Sequence, residues 1–119
     1  MNIEQLRDYC TSKTGCTEDF PFDNDTLVFR VFNKIFALTS LNNTEKPTVN
    51  LKGDPEKNEE LREIYEGIKP GYHMNKKHWN TIYLNSDVEN PLIFKLIDES
   101  YNLIINSLPK SKKTELGIA

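Results

Sequence analysis

The side chains best able to bind, stack or titrate sit in one stretch of this 119-residue chain. That stretch is Gly71-Tyr72-His73-Met74-Asn75-Lys76-Lys77-His78-Trp79-Asn80-Thr81-Ile82-Tyr83-Leu84. It holds both histidines, the one tryptophan, two of the five tyrosines, an adjacent lysine pair and no acid. Lys76 and Lys77, with Lys69 and Lys52 from flanking segments, are suited to phosphate oxygens. Asn75 and Asn80 can donate to phosphates or base edges, and Tyr72 or Trp79 can stack on a base. With about two to four phosphate contacts, binding to DNA through residues 73–80 should be roughly micromolar or weaker and steeply salt-dependent.

Other chemistries find less support in the same residues. His73 and His78 could act as acid and base, but no nucleophile, base and orienting group occur together, and no glycine-rich phosphate loop is present. The two histidines are five positions apart, close to a zinc-ligand spacing, yet no cysteine pair partners them. Glu4, Asp8, Glu18 and Asp19 could hold a hard cation weakly, but Arg7 and Lys13 interrupt them. No catalytic residue, metal ligand or cofactor is therefore assigned. Trp79, Tyr72 and Met74 would suit a protein interface. The simpler expectation for Trp79 is core packing under the third helix, which leaves His73, Asn75, Lys76 and Lys77 facing outward. The alternative to DNA is thus a non-enzymatic module that takes a protein partner or a small anionic ligand at the same surface.

Charge and composition set the bounds. The net charge is −3 and the pI about 5.4, which argues against a strong non-specific nucleic-acid binder. The distribution is uneven: residues 1–25 carry six acids against two bases, residues 54–66 another six against two, and residues 67–84 three lysines with no acid. A modest basic face on an acidic body follows. The length suits one domain with one core. No apolar run approaches the roughly 20 residues of a membrane span, and Met1-Asn2-Ile3-Glu4-Gln5 lacks a secretory pattern. A cytoplasmic monomer is expected. Cys10 lies on an apolar helical stripe and Cys16 is outside any metal motif, so free thiols in a reducing compartment are expected.

The elements that must position the segment follow from periodicity. Ile3, Leu6, Tyr9 and Cys10 predict a helix over residues 2–13, ended by Gly15. Residues 17–25 read as an acidic loop, with Pro21 excluding a central strand and Phe20 and Phe22 capping the core edge. Strands are predicted over 27–32 and 34–41, with the turn at Asn33-Lys34 and with Phe36 and Leu38 alternating against Ile35, Ala37 and Thr39. Residues 48–52 form a third strand with Val49 and Leu51 inward. Asp54-Pro55 starts a helix striped by Leu61, Ile64, Tyr65 and Ile68 and capped by Gly67. Residues 78–84 form a fourth strand with Trp79, Thr81 and Tyr83 on one face, and residues 90–108 a strongly amphipathic helix. The fold class is α+β: a two-layer sandwich in the order α-β-β-β-α-β-α, with an antiparallel sheet of four or more strands and helices on one face. Residues 1–109 form the domain, and 110–119 a flexible lysine-containing tail.

Several runs resemble the MmcQ/YjbR family: Glu18-Asp19-Phe20-Pro21-Phe22, Phe36-Ala37-Leu38, Asp54-Pro55 with Leu61-Arg62, and Pro70-Gly71-Tyr72-His73-Met74-Asn75-Lys76-Lys77-His78-Trp79-Asn80-Thr81. The resemblance covers nearly the whole chain. It implies a small bacterial protein with a frataxin-like two-layer fold. It also implies DNA binding, a function ascribed to the family from the likeness of its sheet to a double-wing module.

Overall fold

Asn2 and Gln5 close the start of the first helix as a capping box: the Gln5 amide donates to Asn2 Oδ1 at 2.8 Å, and the Asn2 amide to Gln5 Oε1 at 3.0 Å. The structure, a computed structural model, describes residues 1–43, 45–71 and 74–118. Its elements are α1 (Ile3–Thr11), β1 (Cys16–Asp19), β2 (Thr26–Val31), β3 (Lys34–Ser40), β4 (Thr48–Lys52), α2 (Pro55–Ile64), β5 (Ile68–Pro70), β6 (Trp79–Tyr83), α3 (Asn90–Ser107) and α4 (Lys110–Glu115). The strands form one sheet in the order β1-β2-β3-β4-β6-β5, with every neighbouring pair antiparallel. Helices α1, α2 and α3 pack on it, and the class is α+β as expected.

Two short strands lie beyond the predicted order. β1 forms within the expected acidic loop because it is tied on both sides. Arg7 of α1 clamps Glu18, and Arg30 of β2 clamps Asp19. Pro21 then ends it, as a proline can at a sheet edge. Phe20 and Phe22 do not cap the core: they are 45% and 67% exposed. β5 takes residues expected at the end of α2. That helix stops at Ile64, where Tyr65 turns extended (φ −115°, ψ 126°), and the Asp87 carboxylate accepts the Glu66 and Gly67 amides at 2.8 Å each. Ile64 is consequently 68% exposed, whereas Ile68 is fully buried as a strand residue. Gly67 is not a cap; it is the buried acceptor of the Tyr83 amide.

The β2–β3 turn also differs. Val31 pairs with Lys34, so Phe32 and Asn33 make the loop, and Phe32 takes φ 55°. A bulge between Phe29 and Arg30 then breaks strict alternation in β3. Phe36 and Ala37 both join the core, while Leu38 turns to the other face. Within the expected tail, Lys110–Glu115 form helix α4. Its Lys112 ammonium lies 4.9 Å from the Phe32 ring centre, and Leu116 packs on the core. Gly15, at φ +77°, makes room: a Cβ there would come 2.5 Å from Leu116 Cδ2.

The core joins α3 to the sheet through Ile93, Leu96, Ile97, Tyr101, Ile104 and Ile105, and Phe36 meets the Tyr101 ring edge-on at 5.4 Å. Ser100 is fully buried, and its hydroxyl bridges two strands by donating to the Phe36 carbonyl (2.6 Å) and accepting the Lys52 amide (3.0 Å). Among the described residues, no helix is long and apolar enough to cross a membrane.

Candidate functional site

Strand alternation decides what the helix-free face of the sheet presents. Phe29, Val49, Leu51 and Ile82 point to the helices, so their neighbours point away. One row of paired residues crosses all six strands on that face: Asp19, Val28, Leu38, Asn50, Thr81 and Lys69. Beside it, Lys52 pairs with Trp79 and Thr48 with Tyr83. Thr81 donates its hydroxyl to Asn50 Oδ1 across the strands. Lys52 and Lys69 flank β6 on opposite sides, two residues out of step. Strand spacing and rise put their Cα atoms about 12 Å apart.

Trp79 is buried, at 9% exposure, but not under α3 as expected. It is on the helix-free face, outside the main core, with Gly71 against it; a Cβ on Gly71 would come 3.0 Å from Trp79 Cβ. Asn80, expected to touch ligand, points to the helices and is only 2% exposed. It accepts from Arg62 Nε at 2.6 Å and donates to the Asn58 carbonyl at 3.3 Å. That role is structural, because neighbours on one strand cannot share a face.

This buried pair holds the turn that carries Asn75, Lys76 and Lys77. Arg62 donates to the carbonyls of Lys76 and Trp79, Asn58 Nδ2 to that of Lys77, and the Gly53 amide to that of His78. Within the turn Asn75 Oδ1 accepts the Lys77 amide at 2.9 Å, and its carbonyl accepts the amides of His78 and Trp79. Asn75, Lys76 and Lys77 are exposed, and His78 is half-buried. Tyr72 and His73, the other two expected contact residues, lie outside the described residues.

The cations divide into two sets. Arg7, Arg30, Lys13, Lys57 and Lys112 are ion-paired. Arg62 is spent on the turn and Lys34 on Ser107. Among the described residues, Lys46, Lys52, Lys69, Lys77, Lys95, Lys110 and Lys113 make no side-chain hydrogen bond or ion pair. The first four lie around β4, β6 and β5, Lys95 on α3, and Lys110 and Lys113 on α4. Lys46 and Lys69, with Pro47 and Tyr83, also line an open groove of about 510 Å³ at that edge, together with Glu45, Glu66, Asn85 and Ser86. The Tyr83 hydroxyl has no hydrogen bond among the described residues.

Titratable groups elsewhere serve the scaffold. Burial pushes the Cys10 thiol far up and the Cys16 thiol up to about 11, so both are protonated near neutrality. Lys13 loses hydration, which lowers its pKa, but the Asp98 carboxylate and Tyr9 outweigh this and raise it. Tyr9 donates to Asp98 at 2.7 Å, which ties α1 to α3. Among the described residues, no three His, Cys, Asp or Glu side chains are grouped to hold a metal ion.

Of the residues singled out from the sequence, Lys52, Lys69, Asn75, Lys76 and Lys77 are set around one end of the sheet. Sequence reasoning missed Asn58 and Arg62, which hold the turn, and Lys46, Asn50 and Tyr83 as surface residues. The alternation of Thr48, Asn50 and Lys52 against Val49 and Leu51 was the available signal.

Comparison with known proteins agrees with this architecture. The chain is 34% identical to YjbR of Escherichia coli K12 over 113 residues, 95% of each chain. It is 43% identical to YbdF of E. coli O157:H7 over 91 residues, 76% of this chain and 74% of that one. The crystal structure of DR2400 from Deinococcus radiodurans, with a DUF419 domain, superposes with TM-score 0.91 at 39% identity, over 99% of this chain and 89% of that one. A Pseudomonas syringae protein gives TM-score 0.76 at 34% identity, over 87% and 99% of the two chains. Residues 11–103 match the family model described as YjbR, and with relatives aligned over almost its full length, the chain belongs to the YjbR family.

Proposed function

We propose that this protein binds DNA weakly and electrostatically through the helix-free end of its sheet, with Lys52, Lys69 and Lys77 as phosphate contacts and Asn75 and Lys76 beside them. The observation that supports this is the clustering of unpaired lysines. Four lysines without a side-chain partner, Lys46, Lys52, Lys69 and Lys77, gather around β4, β5 and β6, whereas the other three, Lys95, Lys110 and Lys113, are on α3 and α4. The turn bearing Lys76 and Lys77 is also held from beneath, so little ordering cost falls on binding. The free thiols suit a cytoplasmic setting.

The test is fluorescence anisotropy with labelled DNA. Three to four phosphate contacts give a log–log salt slope of about −3, so raising salt from about 50 to about 200 mM should weaken binding roughly 40- to 150-fold on duplex. Lys52→Ala with Lys69→Ala should weaken binding to all sequences and flatten the slope by about two. Lys110→Ala with Lys113→Ala, on α4, should leave both unchanged. Absence of binding at the lower salt would refute the proposal. The groove beside Tyr83 favours a second reading, a small anionic ligand between Lys46 and Lys69. That reading predicts saturable binding of a small phosphate-bearing compound with no affinity for DNA.

A further inference from the structure

We infer that the nucleic acid taken by this face is single-stranded, with an unpaired base seated on Tyr83 in the edge groove; this rests on the nucleic-acid reading above. Shape is the first argument. Six strands at their usual spacing make a surface about 24 Å across, whereas the major groove is about 12 Å wide and admits a helix or a two-stranded ribbon. A broad sheet meets duplex DNA by prying the minor groove open with exposed apolar wedges. Among the described residues this face has no exposed apolar wedge: Val28, Leu38 and Trp79 are 0%, 9% and 9% exposed, and Ile35 is half-buried. The exposed Phe20 and Phe22 follow β1, at the opposite edge of the sheet from β5.

Chemistry is the second argument. Tyr83 is half-buried, so its ring is held in place, and its hydroxyl is open to a ligand. An aromatic ring flanked by lysines is the arrangement that binds unpaired bases. Glu45 and Glu66 line the same groove and can accept hydrogen bonds from the amino groups of a base. The backbone would then run past Lys52 and Lys69 while the base enters the groove. Only a strand whose bases are unpaired can separate the two in this way.

The experiment compares one labelled oligonucleotide of about 12 nucleotides, single-stranded and annealed to its complement, at about 50 mM salt. The single strand should bind at least fivefold more tightly. Tyr83→Ala should weaken single-strand binding roughly tenfold, and Tyr83→Phe should restore most of the loss because it keeps the ring. If Tyr83→Ala proves unfolded by circular dichroism, proton NMR of the wild-type protein replaces it: the Tyr83 ring signals should move upfield on adding the strand. Duplex binding equal to or tighter than single-strand binding would overturn this inference and leave the DNA reading standing. Unchanged affinity of a folded Tyr83→Ala, or unmoved ring signals, would also overturn it. No binding of either form would refute both.

Discussion

Ser100→Ala should be among the most damaging conservative changes in this protein. β3 and β4 pair through Ala37 with Leu51 and Leu38 with Asn50; the next pair, Phe36 with Lys52, does not close directly. The Ser100 hydroxyl fills that gap from α3, accepting the Lys52 amide and donating to the Phe36 carbonyl, with no exposure to solvent. Alanine would leave a backbone donor and a backbone acceptor without partners, at about 1–3 kcal/mol each. Partial relaxation makes a total loss of about 2–4 kcal/mol reasonable, against a domain stability of about 5–15 kcal/mol. Unfolding 119 residues carries an entropy of about 250 cal/mol/K, so each kcal/mol is worth about 4 °C. The melting temperature should fall by about 8–16 °C. Urea denaturation should show the same loss with an unchanged slope, and hydrogen exchange should quicken first at the Lys52 amide. A melting temperature within 3 °C of wild type would mean that water or strand repair replaces the hydroxyl, and the bridging argument would be refuted.

Arg62→Ala should release the 74–78 turn, lowering stability by about 2 kcal/mol in urea titration, because Asn80 and two carbonyls lose their donor; sharp, unshifted amide signals for Lys76 to His78 would contradict this. Asp87 and Glu18 have pKa values held down, Asp87 first by the Gly67 amide and Glu18 first by the Arg7 hydrogen bond. Their contribution is therefore present above the unfolded carboxylate range of about 4 and lost as pH falls through the depressed values. Melting curves between about pH 3 and 6 should show the loss, and Asp87→Asn should flatten it. Gly15→Ala places a Cβ at positive φ and against Leu116, and should cost about 1–2 kcal/mol. Leu116→Ala should lower the melting temperature measurably if α4 is part of the fold, and leave it untouched if the helix is free.

Elements with local causes were legible in the sequence. Asp54 and Pro55 announce a helix start through groups within four residues of them, and the helix starts where expected. The 3.6-residue stripe of α3 is carried by its own side chains. The twofold alternation of Trp79, Thr81 and Tyr83 likewise needs only the chain that bears it. What the residues could not reveal locally was partner choice. β1 depends on Arg7 and Arg30, and β5 on an aspartate roughly 20 positions later. The β3 bulge, which turns Leu38 outward, depends on how two strands meet. The candidate surface has the same division. The lysine, asparagine and aromatic content of residues 71–84 was visible in sequence, as was the freedom of that stretch from acids. Which lysines are left without a partner was decided by tertiary pairing, because an acid must be brought near a lysine in space to pair with it. Asn80 faces the helices and Tyr83 the open side, contrary to expectation, for the same reason. A strand sends successive side chains to opposite faces, and only the packing of α2 and α3 determines which face is left open.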